Sequence, residues 1–235
     1  MQFKTLLAIL GILPFLLLFI TCGENKHDRV NVPVSTGAAG ANHVSAPLAE
    51  AAKFNDVRRV TLLLDKGANI NEKDAQGQTA IFYAISNSND TLFQMLIEKG
   101  ADVNIQTNFG YTPLMLASEK GDTTKVIVLI NKGAKVNMQT NRGETALISA
   151  ARNDKVEVIT LLIDKGADIN EKDDGNTTAL TKAASKGYSN SVKVLLEKGA
   201  DVNIVRKDGK SILQLAIENG NSEVIQLLKQ AGAKE

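Results

Sequence analysis

A fixed period of 33 residues most constrains how this chain can fold. The dipeptide Gly-Ala occurs six times, and each copy follows the previous one by 33 residues without an insertion or deletion. The pattern predicts a stack of six small units, each of which contacts only its neighbours, and no single central core. The dipeptides are Gly67-Ala68, Gly100-Ala101, Gly133-Ala134, Gly166-Ala167, Gly199-Ala200 and Gly232-Ala233.

Each unit carries signals for two helices. Thr or Ser stands at the start of units two to six, where its hydroxyl can accept a hydrogen bond from a free backbone N–H of the helix that follows. Pro47 and Pro113 come next, at a position where a missing N–H costs nothing. An apolar stripe such as 158–163 then ends at Gly166, which can adopt the left-handed conformation of a helix C-cap. The connection to the next unit is predicted to be a β-turn or short hairpin.

Unit three carries a family resemblance most fully. It reads Gly110-Tyr111-Thr112-Pro113-Leu114, then Ala117, a Val- and Leu-rich helical block and Gly133-Ala134. This sequence resembles the ankyrin repeat, and the resemblance extends over residues 46–235. It implies an all-α repeat solenoid of helix-turn-helix units joined by β-turn or hairpin loops. The predicted ankyrin-repeat domain covers 45–235, with repeats at 46–78, 79–111, 112–144, 145–177, 178–210 and 211–235.

Two departures from the repeat pattern lead to local predictions. In the turn that leads into unit five Asn176 replaces the turn glycine, and because Asn tolerates the same backbone region we expect an altered turn rather than a break. The end units carry the polar pairs Arg58-Arg59 and Lys229-Gln230 in their second helices, which is typical of capping units.

Residues 1–21 are predicted to be a signal peptide. Lys4 precedes an apolar run of about 15 residues, which is short of the roughly 20 residues that span a bilayer. Cys22, the only cysteine, follows this run and resembles the lipidated cysteine of bacterial lipoproteins. The alternative is cleavage after Gly23, which would release an unanchored protein. Residues 22–44 are rich in Gly, Ala, Asn, Ser and Val and are predicted to be a flexible tether.

The resemblance also implies where a partner would bind. In ankyrin stacks the loop tips and the exposed edges of the first helices form a binding surface, which we call the concave face. Phe109, Tyr111 and Arg142 lie at such positions, and exposed aromatic and Arg side chains contribute strongly to binding. The alternative is that Phe109 folds onto its own turn and Tyr111 packs on the next tip. The predicted partner-binding residues are Phe109, Tyr111, Arg142, Asn108, Glu144, Gln76, Gln78, Lys207 and Lys210.

Composition argues against several other functions. No His or Cys occurs in 44–235, so His- or Cys-dependent catalysis and Cys/His zinc sites are excluded from the repeats. We expect no enzymatic activity, no cofactor and no metal site. Because 27 basic residues nearly balance 26 acidic ones, nothing indicates nucleic-acid binding.

The expected function is therefore protein–protein interaction by an exported, membrane-anchored monomer of the bacterial cell envelope. Its only membrane contact would be the lipid on Cys22. Two alternatives remain open. One is a secreted, unanchored protein that binds a host or neighbouring-cell protein. The other is a periplasmic support protein that stabilises an envelope enzyme or complex.

Overall fold

The computed structural model describes residues 46–234, and these residues contain twelve helices in six antiparallel pairs. Each predicted 33-residue frame contains one pair. The first helices are α1 (Pro47–Lys53), α3 (Ala80–Ser86), α5 (Pro113–Lys120), α7 (Ala146–Arg152), α9 (Ala179–Lys186) and α11 (Ile212–Asn219). The second helices are α2 (Val57–Asp65), α4 (Asp90–Glu98), α6 (Thr123–Asn131), α8 (Val156–Asp164), α10 (Ser189–Glu197) and α12 (Ser222–Gln230).

The predicted caps start most of the first helices. The hydroxyls of Thr112, Thr145, Thr178 and Ser211 each accept the backbone N–H three residues on, at 3.2 to 3.3 Å. Pro47 and Pro113 lie in the first turns of α1 and α5. Thr79 is the exception, since its buried hydroxyl makes no hydrogen bond. The C-terminal signal is also confirmed, because Gly166 has a φ of +88° after α8.

The repeat columns form one continuous apolar core. Consecutive first helices pack against each other along the stack, and each also packs against its own second helix. The alanine column, from Ala51 to Ala216, is no more than 1% exposed, because a larger side chain would separate these closely packed helices. The leucine column is fully buried from Leu96 to Leu228 and half-buried at Leu63 in the first unit.

A column of asparagines links each unit to the next. Each side-chain oxygen accepts a backbone N–H 31 residues on, at 2.8 to 3.3 Å. Asn104 and Asn137 also donate to the carbonyls of Gly133 and Gly166. These hydrogen bonds provide partners for backbone N–H and C=O groups in the loops, which have no partner within a helix. The five residues are Asn71, Asn104, Asn137, Asn170 and Asn203.

The departures behave as expected. Asn176 has a φ of +58° and so replaces the turn glycine without a break in the stack. Arg58, Arg59, Lys229 and Gln230 are all exposed, in agreement with their position in end units. No helix within 46–234 is long and apolar enough to cross a membrane.

Candidate partner-binding surface

The loop tips are held in register by their own backbone. In each tip a backbone N–H bonds to the carbonyl four residues on, as between Thr107 and Tyr111 at 2.9 Å. Neighbouring tips are then joined in series, since Asn108 N–H bonds to the Gln76 carbonyl at 3.1 Å and Asn141 N–H to the Phe109 carbonyl at 3.0 Å. The same bond recurs from Asp174 to Arg142 and from Lys207 to Gly175. The tips therefore form a rigid row, although residues 46–234 contain no regular strand and only one isolated bridge, Val205 to Ser211.

Phe109 is the most exposed large apolar side chain of the described residues, at 74%. It occupies the middle position of its tip, a column that holds Gln76 one unit before and Arg142 one unit after. Both of these side chains are also exposed, and Arg142 forms no ion pair within 46–234. Phe109, Gln76 and Arg142 therefore stand side by side on consecutive tips and are open to a partner.

Of the other predicted residues, Asn108 links neighbouring tips and Gln78 is partly covered. The side-chain amide of Asn108 donates to the Ala75 carbonyl at 2.9 Å, and Asn141 repeats this contact one unit later. Gln78 is half-buried, and its backbone N–H donates to the carboxylate of Asp74 at 2.9 Å. That carboxylate also accepts the hydroxyl of Tyr83.

Tyr111 belongs to a polar network at the base of the tips. Its ring packs against the core, and its hydroxyl donates to Glu119 at the end of α5. Arg152 lies between Glu119 and Glu144, with Nη1 2.8 Å from Glu144 and Nη2 3.6 Å from Glu119. The contact with Glu144 is ionic, because that carboxylate oxygen accepts no aligned hydrogen bond. Burial and the hydrogen bond to Glu119 raise the pKa of Tyr111 well above its usual range, so the hydroxyl remains a donor.

The two basic residues predicted at the far end differ in exposure. Lys207 is exposed on the last tip, whereas Lys210 is half-buried and pairs with Glu218 at 2.7 Å. Between Lys210 and α11 lies an open recess of about 420 Å³, lined in part by Gln214 and Ile217. This recess is separated from Phe109 by the tips of the two preceding units.

Comparison with known proteins agrees with this geometry. The family model described as "Ankyrin repeats (3 copies)" matches residues 13–107, 91–173 and 172–235. The chain belongs to the ankyrin-repeat family. A solved ankyrin repeat domain from Acinetobacter baumannii AYE is 35% identical with a TM-score of 0.71, and the match covers 80% of this chain and 98% of that one. A search of curated proteins gave no match.

Ankyrin repeats mediate protein–protein interaction, and this ankyrin-repeat protein has the corresponding scaffold. The fold is typical of non-catalytic binding proteins. Its nine predicted contact residues separate into two groups. Gln76, Phe109, Arg142 and Lys207 project freely from the tips, whereas Gln78 is half-buried and the side chains of Asn108, Tyr111, Glu144 and Lys210 make contacts within the stack. Cys22 lies outside the described residues.

The central position of Arg152 was missed by sequence reasoning, although a signal for it exists. Pairs of compatible side chains stand eight residues apart at three junctions between units, at Tyr111 and Glu119, Glu144 and Arg152, and Lys210 and Glu218. All three pairs are in contact. Tyr111, which the sequence placed among exposed contact residues, is instead half-buried, and its ring packs on the core.

Proposed function

We propose that this ankyrin-repeat protein binds a protein partner through its concave face, with Phe109 at the centre of the contact and Gln76 and Arg142 beside it. One observation carries the proposal. Phe109 is 74% exposed, yet its backbone is bonded to the next tip. An apolar ring held in water on a rigid support loses little conformational freedom when a partner covers it.

The concave face provides this support along its length. Tyr111, Glu119 and Arg152 join the base of one tip to the ends of two first helices. The partner therefore meets a preformed surface, and the recognition mechanism is rigid-surface binding. Aromatic and Arg side chains in a well-packed patch dominate interface energies, so Phe109 and Arg142 are the residues whose loss should matter most.

The test compares two exposed apolar side chains, one on the concave face and one outside it. Phe109→Ala should weaken partner capture by about tenfold or more, since a hot-spot residue contributes roughly 2 kcal/mol or more. Ile127→Ala is the control, because Ile127 is 42% exposed on α6, a second helix outside the concave face. Both variants should keep the helical signal and the unfolding midpoint of the parent. Equal capture by the parent and Phe109→Ala would refute the site.

The same proposal places the protein in the cell envelope, anchored by lipid on Cys22. It is supported by the apolar run before Cys22 and by the position of this single cysteine. Intact mass from membrane and soluble fractions tests it. A chain that starts at acylated Cys22 supports a lipoprotein, whereas an unlipidated chain that starts at Glu24 favours the secreted alternative. Stoichiometric recovery with one envelope enzyme would favour the support role instead.

A further inference from the structure

We infer that the partner segment bound by the concave face is acidic and carries an apolar side chain beside its carboxylates. The inference rests on the proposed function and specifies the chemistry of the partner. It follows from a comparison between the charged side chains of this face that have ion-pair or hydrogen-bond partners within the protein and those that have none.

The carboxylates of the concave face have partners within the protein. Glu119 and Glu144 face Arg152, and Asp173 lies 3.4 Å from Lys182. Near the last tip, Asp208 pairs with Arg206 at 3.2 Å and Glu218 with Lys210 at 2.7 Å. Asp74 accepts the hydroxyl of Tyr83 and two backbone N–H groups. These contacts leave the acidic groups largely satisfied before any partner arrives.

The cations of the same face are not matched in this way. Five exposed cationic side chains take part in no ion pair within residues 46–234, whereas among the carboxylates of the face only Asp74 and Asp174 take part in none. The unmatched charge is therefore positive. The five residues are Lys53, Lys120, Arg142, Lys186 and Lys207.

Their positions follow two edges of the face. Arg142 and Lys207 project from tips, whereas Lys53, Lys120 and Lys186 lie at the ends of first helices α1, α5 and α9. Phe109 lies on the tip before Arg142, so an apolar group that covers its ring brings an adjacent carboxylate within reach of the guanidinium. Complementary charge mainly increases the association rate and selects among partners, and salt screens it.

The experiment starts with a photocrosslinker. Phe109→p-benzoylphenylalanine in the full-length protein, irradiated in its own cells, should give a protein adduct whose crosslinked peptide can be sequenced. The inference predicts a peptide with an excess of Asp and Glu and at least one large apolar residue. Ile127→p-benzoylphenylalanine is the control, because Ile127 is 42% exposed on α6, a second helix outside the concave face.

A synthetic copy of that peptide then provides the binding probe. Arg142→Gln combined with Lys207→Gln should weaken binding roughly tenfold at low salt, and the difference should shrink at high salt. Lys132→Gln combined with Lys165→Gln removes the same charge from exposed positions just after second helices and should change nothing.

The outcomes separate the inference from the proposed function. A neutral or basic crosslinked peptide would contradict the acidic partner but not the Phe109 site. The same conclusion would follow if neither salt nor the combined Arg142 and Lys207 change altered the binding affinity. Protein adducts at residue 127 but none at residue 109 overturn the proposed site itself. Adducts to lipid or nucleic acid at residue 109 overturn both.

Discussion

The ammonium of Lys125 lies 2.6 Å from the carboxylate of Asp122 and also contacts Asp90 of the preceding unit. Lys125 is only 4% exposed, and the same position holds Leu92, Val158 and Val224 in other units. The Asp122 carboxylate also caps α6 by accepting the Lys125 backbone N–H at 3.0 Å. A charged group thus replaces an apolar contact between units two and three.

This cluster predicts sensitivity to acid. Burial raises the pKa of Asp122, but the hydrogen bonds and charge of Lys125 outweigh burial and hold it below its ordinary value of 3.8. Its contribution to stability is therefore present above about pH 4 and is lost as the pH falls through the lower folded pKa. Asp122→Asn should reduce the unfolding free energy near neutral pH by about 1.5–3 kcal/mol and flatten its decline in acid.

Urea unfolding at several pH values measures this effect. Asn is a good N-cap and occupies the equivalent position at Asn89 and Asn221, so the variant keeps the helix start and removes the charge. Equal acid sensitivity in the parent and in Asp122→Asn would contradict the assignment.

A second prediction concerns whether the Lys125 cluster stabilises the stack. Replacement of a buried ion pair by an apolar residue of similar volume is often neutral or stabilising. Lys125→Met should therefore keep or raise the thermal midpoint, since Asp90 is largely exposed and Asp122 retains its capping bond. Lys125→Ala leaves a cavity and should lower the midpoint. A drop of the same size in both variants would show that the charge itself is required.

Gly110 tests the packing of one tip on the next. It has a φ of +79°, and a Cβ there would approach the backbone N of Asn141 to 2.7 Å. Gly209 has a similar φ of +84° but faces open space. Gly209→Ala should cost about 1–2 kcal/mol for the left-handed backbone, and Gly110→Ala about 1–3 kcal/mol more for the clash. Chemical unfolding of both variants isolates the clash, and equal losses would argue against rigid tip packing.

Most of the fold could be predicted because the signals that start and end each helix are local and recur every 33 residues. Thr145 caps α7 by accepting a backbone N–H only three residues on, and Gly166 directly follows the end of α8. Both signals therefore stand in the sequence beside the helix that they start or end. The tip positions follow from the same register, which is why Phe109 and Arg142 could be placed on the surface before any coordinates.

The side-chain partners could not be predicted in this way. Tyr111 turns inward because Glu119, eight residues on, offers an acceptor at the end of α5. Lys125 is buried because Asp90 of the neighbouring unit can reach it. Such contacts depend on side-chain direction across two elements, which a repeat pattern leaves open.

The asparagine column predicts a stability effect that comes from hydrogen bonds to loop backbone. Asn104→Ala removes a bond to the Lys135 N–H at 2.8 Å and another to the Gly133 carbonyl at 2.9 Å. We expect a loss of about 1–3 kcal/mol, because two loop backbone groups lose their partners. Asn203→Ala is the control, since its only bond to the next loop is longer, at 3.3 Å to Lys234 N–H. Similar losses at the two sites would contradict this account.

We expect a larger coupling energy between Glu144 and Arg152 than between the two residues of an exposed surface ion pair. Glu144 is 17% exposed and Arg152 35%, whereas Arg206 and Asp208 are 34% and 43% exposed. A double-mutant cycle with Glu144→Gln and Arg152→Gln should give a coupling energy of about 1 kcal/mol, after allowance for the solvent that still reaches Arg152. The matching cycle at Arg206 and Asp208 should give less than about 0.5 kcal/mol, since exposed pairs are well screened. Equal couplings would mean that Arg152 does not hold the base of the tips, and the rigidity assigned to the concave face would then depend on the backbone bonds between tips alone.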